Sequence, residues 1–147
     1  MKSQKSDYLK YWRVVRHYIK VKYNISQADL EILLFLHTEP HFTKDKFVEF
    51  NSLLSWDKKR FDRLNQEGWI EGVKTFRVGR RIKYSLSYRS ARLVEEVYRI
   101  LEGKEIPISE TINPMFKRNV GYTDKVYRNF IMGLRAKSKQ PQRHALE

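Results

Sequence analysis

The sequence predicts a mainly α-helical chain with one small β-hairpin, an α+β fold. Three observations predict it. Apolar residues recur at helical spacing through most of the chain. One stretch, residues 82–87, instead alternates apolar and polar as a half-buried strand does. Ser, Thr, Gly and Pro stand where those helical patterns begin and end. At 147 residues and 41% apolar composition, one compact domain with an added arm can bury a core. Aromatics at 14% suggest that core and subunit contacts lean on Tyr, Phe and Trp.

The first helix is expected over about residues 7–23. Tyr8, Trp12, Val15 and Ile19 form one apolar stripe, and Tyr11, Val14, Tyr18 and Val21 a second beside it. A helix apolar on so much of its circumference needs cover on two sides. The domain core is one cover. The other is a partner subunit or the C-terminal segment of the same chain. Asn24 and Ile25 break the pattern. Ser26 caps a second helix, with Asp29 at the capping-box position that usually holds Glu or Gln. Leu30, Ile32, Leu33, Leu34, Phe35 and Leu36 make it apolar nearly all round, hence central. It stops before Pro40.

Thr43 caps a short third helix whose buried side is Phe47, Val48 and Phe50; residues 51–54 are the following turn. Ser55 is expected to cap a fourth helix, basic on its outside. Phe61 and Leu64 face the core, Ser55, Lys59, Arg63 and Gln66 lie opposite, and Lys58 and Arg60 flank them. Gly68 fits a left-handed stop. Trp69, Ile70 and Val73 open the first strand, residues 76–81 form the turn region, and residues 82–87 return. Ser90 starts a fifth helix with Leu93, Val94, Val97, Tyr98, Ile100 and Leu101 on its apolar side and Gly103 at its end. A connector with two prolines (residues 106–114) leads to a last helix over about residues 123–137, carrying Val126, Tyr127, Phe130, Ile131 and Leu134.

Net charge is +13 and the pI is about 10.0, which points to a polyanionic partner. The charge is blocked rather than uniform. Residues 56–92 carry eleven Lys/Arg against four acids, while the segments on either side, 23–55 and 93–116, are each net acidic. The central excess therefore falls on the fourth helix and the hairpin, which favours a binding face over a merely solvated one. A basic helix that fits a major groove, followed by a cationic ribbon, is the logic of a winged helix-turn-helix.

Two stretches carry a resemblance. Residues 25–34, beginning Ile25-Ser26, resemble the opening of the second helix of MarR-like winged helix-turn-helix regulators. Residues 61–70, with Phe61, Leu64, Gly68 and Trp69, resemble the end of that family's recognition helix and the entry to its wing. The layout matches over about residues 8–103. The resemblance implies a dimeric transcriptional regulator whose N- and C-terminal helices interlock across a two-fold axis. The family's Asp-x-Arg wing arrangement is replaced by Val78-Gly79-Arg80-Arg81, with Arg81 standing in the arginine's place without its aspartate. The connector after Gly103 also departs from the family.

The expected organisation is thus a winged helix-turn-helix domain (1–103), a connector and dimerising C-terminal helix (104–137), and a disordered basic tail (138–147). The expected partners are double-stranded DNA and a second copy of the chain. Lys59 and Arg63 are the expected groove readers, since Lys and Arg suit guanine edges. Ser55 and Lys58 stand near phosphates, and Gln66 lies deeper on the same face. Arg77, Arg80, Arg81 and Lys83 reach the minor groove or backbone through the wing, where Gly79 lets the turn tighten. A non-regulatory nucleic-acid module, or an adaptor using the basic face on an acidic protein, is the alternative.

Other chemistry is poorly supplied. The absence of cysteine excludes disulfides and thiolate metal sites. His37, Glu39 and His41 flank Pro40 in a loop and read as ordinary polar residues, so no metal or cofactor is expected. No glycine-rich phosphate loop, nucleophile elbow or paired-carboxylate signature appears, and no enzyme is expected. Trp12 and Tyr18 read as packed interface, leaving any small-molecule effector open. No apolar run is long enough for a bilayer, and residues 1–7 lack a signal-peptide core, so a cytoplasmic protein is expected.

Overall fold

A computed structural model describes residues 3–50, 57–78 and 81–139, with side chains described over 8–50, 57–73 and 82–137. The chain divides into two compact units. Ser26–Glu96 forms one, and Met1–Ile25 joins Val97–Glu147 in the other. The first helix therefore groups with the C-terminal segment rather than with the hairpin-bearing half.

The Ser26–Glu96 unit carries α2 (Gln27–Leu36), α3 (Lys44–Glu49), α4 (Lys58–Gln66), β1 (Ile70–Val78), β2 (Arg81–Leu86) and the start of α5 (Tyr88–Leu101). This is the expected mainly α architecture with one antiparallel hairpin. Ser26 Oγ accepts from the Asp29 N–H at 3.2 Å, satisfying an amide that has no partner inside α2. Leu30, Ile32, Leu33 and Leu36 are buried, as a central helix requires, while Phe35 is part-exposed. Thr43 caps α3 in the same way, its hydroxyl accepting from the Lys46 N–H at 3.2 Å. Phe47 on α3 is fully buried and packs edge-on against Phe61 of α4. The expected turn, residues 51–54, lies outside the described residues.

Two expected helix starts move. The cap of α4 is Asp57, not Ser55: its carboxylate accepts from the Arg60 N–H at 2.9 Å and its backbone is extended. Asp caps as well as Ser and adds a negative charge at the positive end of the helix, so the residue nearer the first buried position wins. The cap of α5 is Ser87, not Ser90. Ser87 Oγ accepts from the Ser90 N–H, while Ser90 sits fully buried one turn inside and donates to the Trp69 carbonyl at 2.6 Å. A serine in the first turn fits there, its hydroxyl tying the helix to the residue entering β1.

The end of α4 follows the glycine rule. Gly68 has φ +82°, and the amides of Gly68 and Trp69 close onto the carbonyls of Asn65 and Leu64. That pair of bonds is a Schellman motif, and it delivers Trp69, itself buried, to the hairpin. The strands pair Ile70 with Leu86 and Gly72 with Tyr84, then shift register between Val73 and Arg77 before ending on Val78 opposite Arg81. The ladder is longer than expected. Arg77 and Arg81 belong to strands rather than to the turn, because the irregularity lets β1 keep pairing beyond Val73. Phe42 also exchanges two backbone hydrogen bonds with Tyr84, at 2.9 and 2.6 Å, anchoring the hairpin base ahead of α3.

The other unit holds α1 (Ser3–Tyr23), the end of α5, a 3-10 turn at Pro114–Phe116 and α6 (Tyr122–Lys139). α1 begins before residue 7, and α6 runs past 137 into what was expected to be a disordered tail; its helical backbone continues while nothing in residues 138–139 breaks it. Asn24 at φ +51° and Gly103 at φ +121° end α1 and α5. From the two predicted stripes of α1, Val14, Val15, Tyr18 and Ile19 are buried, whereas Tyr8 is 60% exposed. α6 meets a third, polar face. His17 Nε2 lies 2.7 Å from Asp124 Oδ1, its ring stacks on Tyr127, Arg13 donates to the Tyr127 hydroxyl, and the Lys10 ammonium sits over Phe130. These contacts place α6 on the side of α1 that carries Lys10, Arg13 and His17, beside the two apolar stripes rather than over them. The connector is pinned too: buried Asn113 donates to the Pro107 carbonyl and accepts from the Met115 amide, and Arg135 donates to the Ile106 carbonyl.

Candidate nucleic-acid interface

The outer side of α4 is open. Lys58, Lys59, Asp62, Arg63, Asn65 and Gln66 are exposed, while Phe61 and Leu64 on the inner side are buried at 1% and 0%. The split follows from the sequence, because apolar residues three apart fix which side of a helix turns inward. Phe61 seats the helix. Its ring meets Phe47 edge-on at 5.1 Å and Tyr84 of β2 edge-on at 4.8 Å, so one side chain joins α3, α4 and the hairpin. Arg89 of α5 stacks 3.7 Å over buried Trp69, closing the hairpin base from the other end.

Of the residues expected to touch DNA, Lys58, Lys59 and Gln66 stand on this exposed surface as predicted. Lys83 is half-exposed on β2. Arg77 and Arg81 are placed by backbone register at the far end of the hairpin, each on a paired strand. Ser55, Gly79 and Arg80 lie outside the described residues. Arg63 is on the outer side but is committed. Its Nη1 and Nη2 donate to Asp29 Oδ2 and Oδ1 at 2.8 and 2.7 Å, and Nη1 also reaches Glu67 at 3.1 Å. Arg60 Nη1 adds a third bond to Asp29 Oδ1 at 2.9 Å.

Asp29 is the residue the sequence reading undervalued. Its side chain is 5% exposed, yet it carries a charge that two arginines of α4 share. Burial by itself would raise its pKa. The Arg63 bonds and charge, with help from Ser26 and Arg60, outweigh that and hold the carboxyl below its ordinary value. The Arg63 guanidinium is raised in turn, chiefly by its bond to Asp29. A signal was present. Asp29, Leu33 and Leu36 share helical spacing, so an acid sits in the apolar stripe of α2 and needs a buried partner. Elsewhere on the face, Asp62 is neutralised by Lys44 at 2.7 Å. Asp29, Asp62 and Glu67 are thus each paired with a cation of the protein, while Asp57 caps the helix, and the lysines at 58 and 59 stand exposed beside them.

No family model matches the chain, and no curated protein matches it. Among solved structures it is similar to MarR from E. coli. One is a MarR mutant complexed with operator DNA, 17% identical, with 90% of this chain and 89% of that one covered and a TM-score of 0.45. A second structure of the mutant is 15% identical, with 90% and 92% covered and a TM-score of 0.46.

Proposed function

We propose that the chain is a MarR-like transcriptional regulator that binds duplex DNA as a homodimer, with α4 in the major groove and the hairpin as a basic wing. The proposed contact set is Ser55, Lys58, Lys59 and Gln66 on or before α4, with Arg77, Arg80, Arg81 and Lys83 on the wing; Arg63, the other groove reader expected from the sequence, lies on the same side but is engaged by Asp29 and Glu67. The observation that carries the reading is the exposed outer side of α4, with Lys58, Lys59 and Gln66 on it and Phe61 and Leu64 anchoring the inner side. A helix seated in that way can enter a groove without dismantling its own core. The +7 net charge of residues 56–92, eleven cations against four acids, supports a polyanion as the partner.

Selection of bound fragments from random duplex DNA at fixed salt tests this reading. The expected product is a palindrome with half-sites about one helical turn, roughly 10 base pairs, apart. Arg80→Ala with Arg81→Ala should lower the salt slope by about two units, one per phosphate contact. Lys59→Ala should relax preference at one base pair by about 1–3 kcal/mol. A sequence-tolerant nucleic-acid module is the alternative, since the exposed lysines at 58 and 59 can meet phosphates of any sequence. That module would retain fragments with no shared sequence. Absence of salt-dependent duplex binding would end both readings.

A further inference from the structure

We propose that Asp29 is the positioning residue of the DNA-binding face: it clamps Arg60 and Arg63 so that they fix α4 against α2 and stay turned from DNA. This rests on the DNA-binding reading and narrows it, giving Arg63 a holding role and leaving Lys58, Lys59 and Gln66 to meet the duplex. The geometry is that of a forked pair. Both terminal nitrogens of Arg63 point at the two oxygens of one carboxylate, at 2.8 and 2.7 Å, the end-on arrangement in which arginine would otherwise grip a phosphate. Arg60 completes the carboxylate from the same helix at 2.9 Å.

Burial decides which partner keeps the arginine. Asp29 is 5% exposed, so Arg63 leaving for a phosphate would strip a shielded carboxylate of its bidentate partner. A DNA phosphate remains partly hydrated, and its contact with arginine replaces a counterion. The internal carboxylate is the stronger competitor. Glu67 reinforces it from one turn along α4, where its carboxylate engages Nη1 at 3.1 Å. The device also limits promiscuity: an arginine held by an internal acid contributes nothing to binding random duplex, while exposed lysines still do.

Fluorescence titration of the full chain with its selected duplex and with random duplex, at several salt concentrations, tests the clamp on wild type, Asp29→Asn and Arg63→Lys. With Asp29 intact, Arg63→Lys keeps a cation beside the carboxylate but not the fork, so any loss of discrimination should spread over all positions and single out none. Asp29→Asn keeps the shape but releases Arg63, so affinity for random duplex should rise, the salt slope should steepen by about 0.9 for one added phosphate contact, and selected-over-random discrimination should fall about tenfold. A merely structural role would instead weaken both duplexes at constant slope, and that result overturns the proposal. So does a loss of preference at one base pair in Arg63→Lys. Should Asp29→Asn fail to fold, Asp29→Glu, whose longer side chain misaligns the fork, is expected to shift slope and discrimination in the same direction; no shift overturns the clamp. If wild type binds no duplex, the functional reading fails. The clamp is then judged by a urea double-mutant cycle of Asp29→Asn and Arg63→Met: effects of the two changes that overlap support it, and simple addition overturns it.

Discussion

Truncating Phe61 to alanine should dismantle the seat of α4. The ring is 1% exposed and contacts Phe47 and Tyr84 edge-on, with the Lys44 ammonium 5.3 Å above it. Removing a buried phenylalanine costs about 3–5 kcal/mol, the upper half applying where the cavity cannot collapse. Here the walls come from α3, α4 and β2, each held by its own caps and ladder, so about 4 kcal/mol is expected. Phe61→Leu separates the two contributions. It keeps most of the apolar volume and loses the two ring pairs, worth about 0.5–1.5 kcal/mol each, so about 1–3 kcal/mol is expected. Urea unfolding read by circular dichroism and by tryptophan fluorescence measures both; buried Trp69 reports on the same unit. A loss under about 1 kcal/mol for the alanine variant would refute the junction, since a ring buried against three elements cannot be removed so cheaply. Equal losses for leucine and alanine would refute the volume component and leave aromatic geometry as the sole cause.

Two further outcomes follow from individual residues. Asp29 titrates below its ordinary value in the folded chain, so its charge stabilises the fold above the unfolded carboxylate pKa of about 3.9, and that stability drains away as pH falls through the folded value. Wild type should therefore lose stability on acidification below about pH 4 more steeply than Asp29→Asn, as measured by urea midpoints from pH 6 to pH 3; parallel curves would refute the linkage. Gly68→Ala should cost about 1–2 kcal/mol through backbone strain alone, because φ is +82° and nothing lies within 4 Å of the added carbon. Gly121→Ala, equally uncrowded and with its backbone outside the left-handed region, should stay within about 0.5 kcal/mol of wild type, and equal thermal midpoints for the two variants would refute the strain account.

The helices were legible because their apolar spacing and caps are local properties. Ser26 and Thr43 act as read, and Gly68 takes the left-handed conformation its position required. Starts were less legible where good capping residues compete: Asp57 stands two residues from Ser55, Ser87 three from Ser90, and only the packing of Phe61 and of Trp69 with Ser90 chooses between them. The length of the hairpin was illegible for a different reason. A register shift between Val73 and Arg77 has no periodic signature, so residues that looked like a turn are strand. Lys59 and Gln66 could be assigned to one face by helical spacing, and Lys58 to its flank. The partner of Arg63 could not, since Asp29 is 34 residues earlier and its approach depends on how α2 and α4 pack.

The clamp changes how the charge of the chain bears on DNA binding. Counterion release counts only cations that meet phosphate in place of salt. Arg63 already faces a carboxylate and Lys44 faces Asp62, so a count of cations overstates what a duplex can recruit. On α4 the exposed lysines at 58 and 59 remain on the outer side, with Gln66 two turns along to accept and donate at a base edge. An interface of that kind draws its affinity from a few exposed ammonium groups and its orientation from guanidinium groups tied to a buried acid. The helix must be held at one roll angle for Lys59 and Gln66 to meet the same groove, and a bidentate ion pair to a shielded acid resists rotation better than apolar contacts, which are non-directional. On the proposed reading, the arginines of α4 serve discrimination by staying out of contact, and the lysines supply the contact.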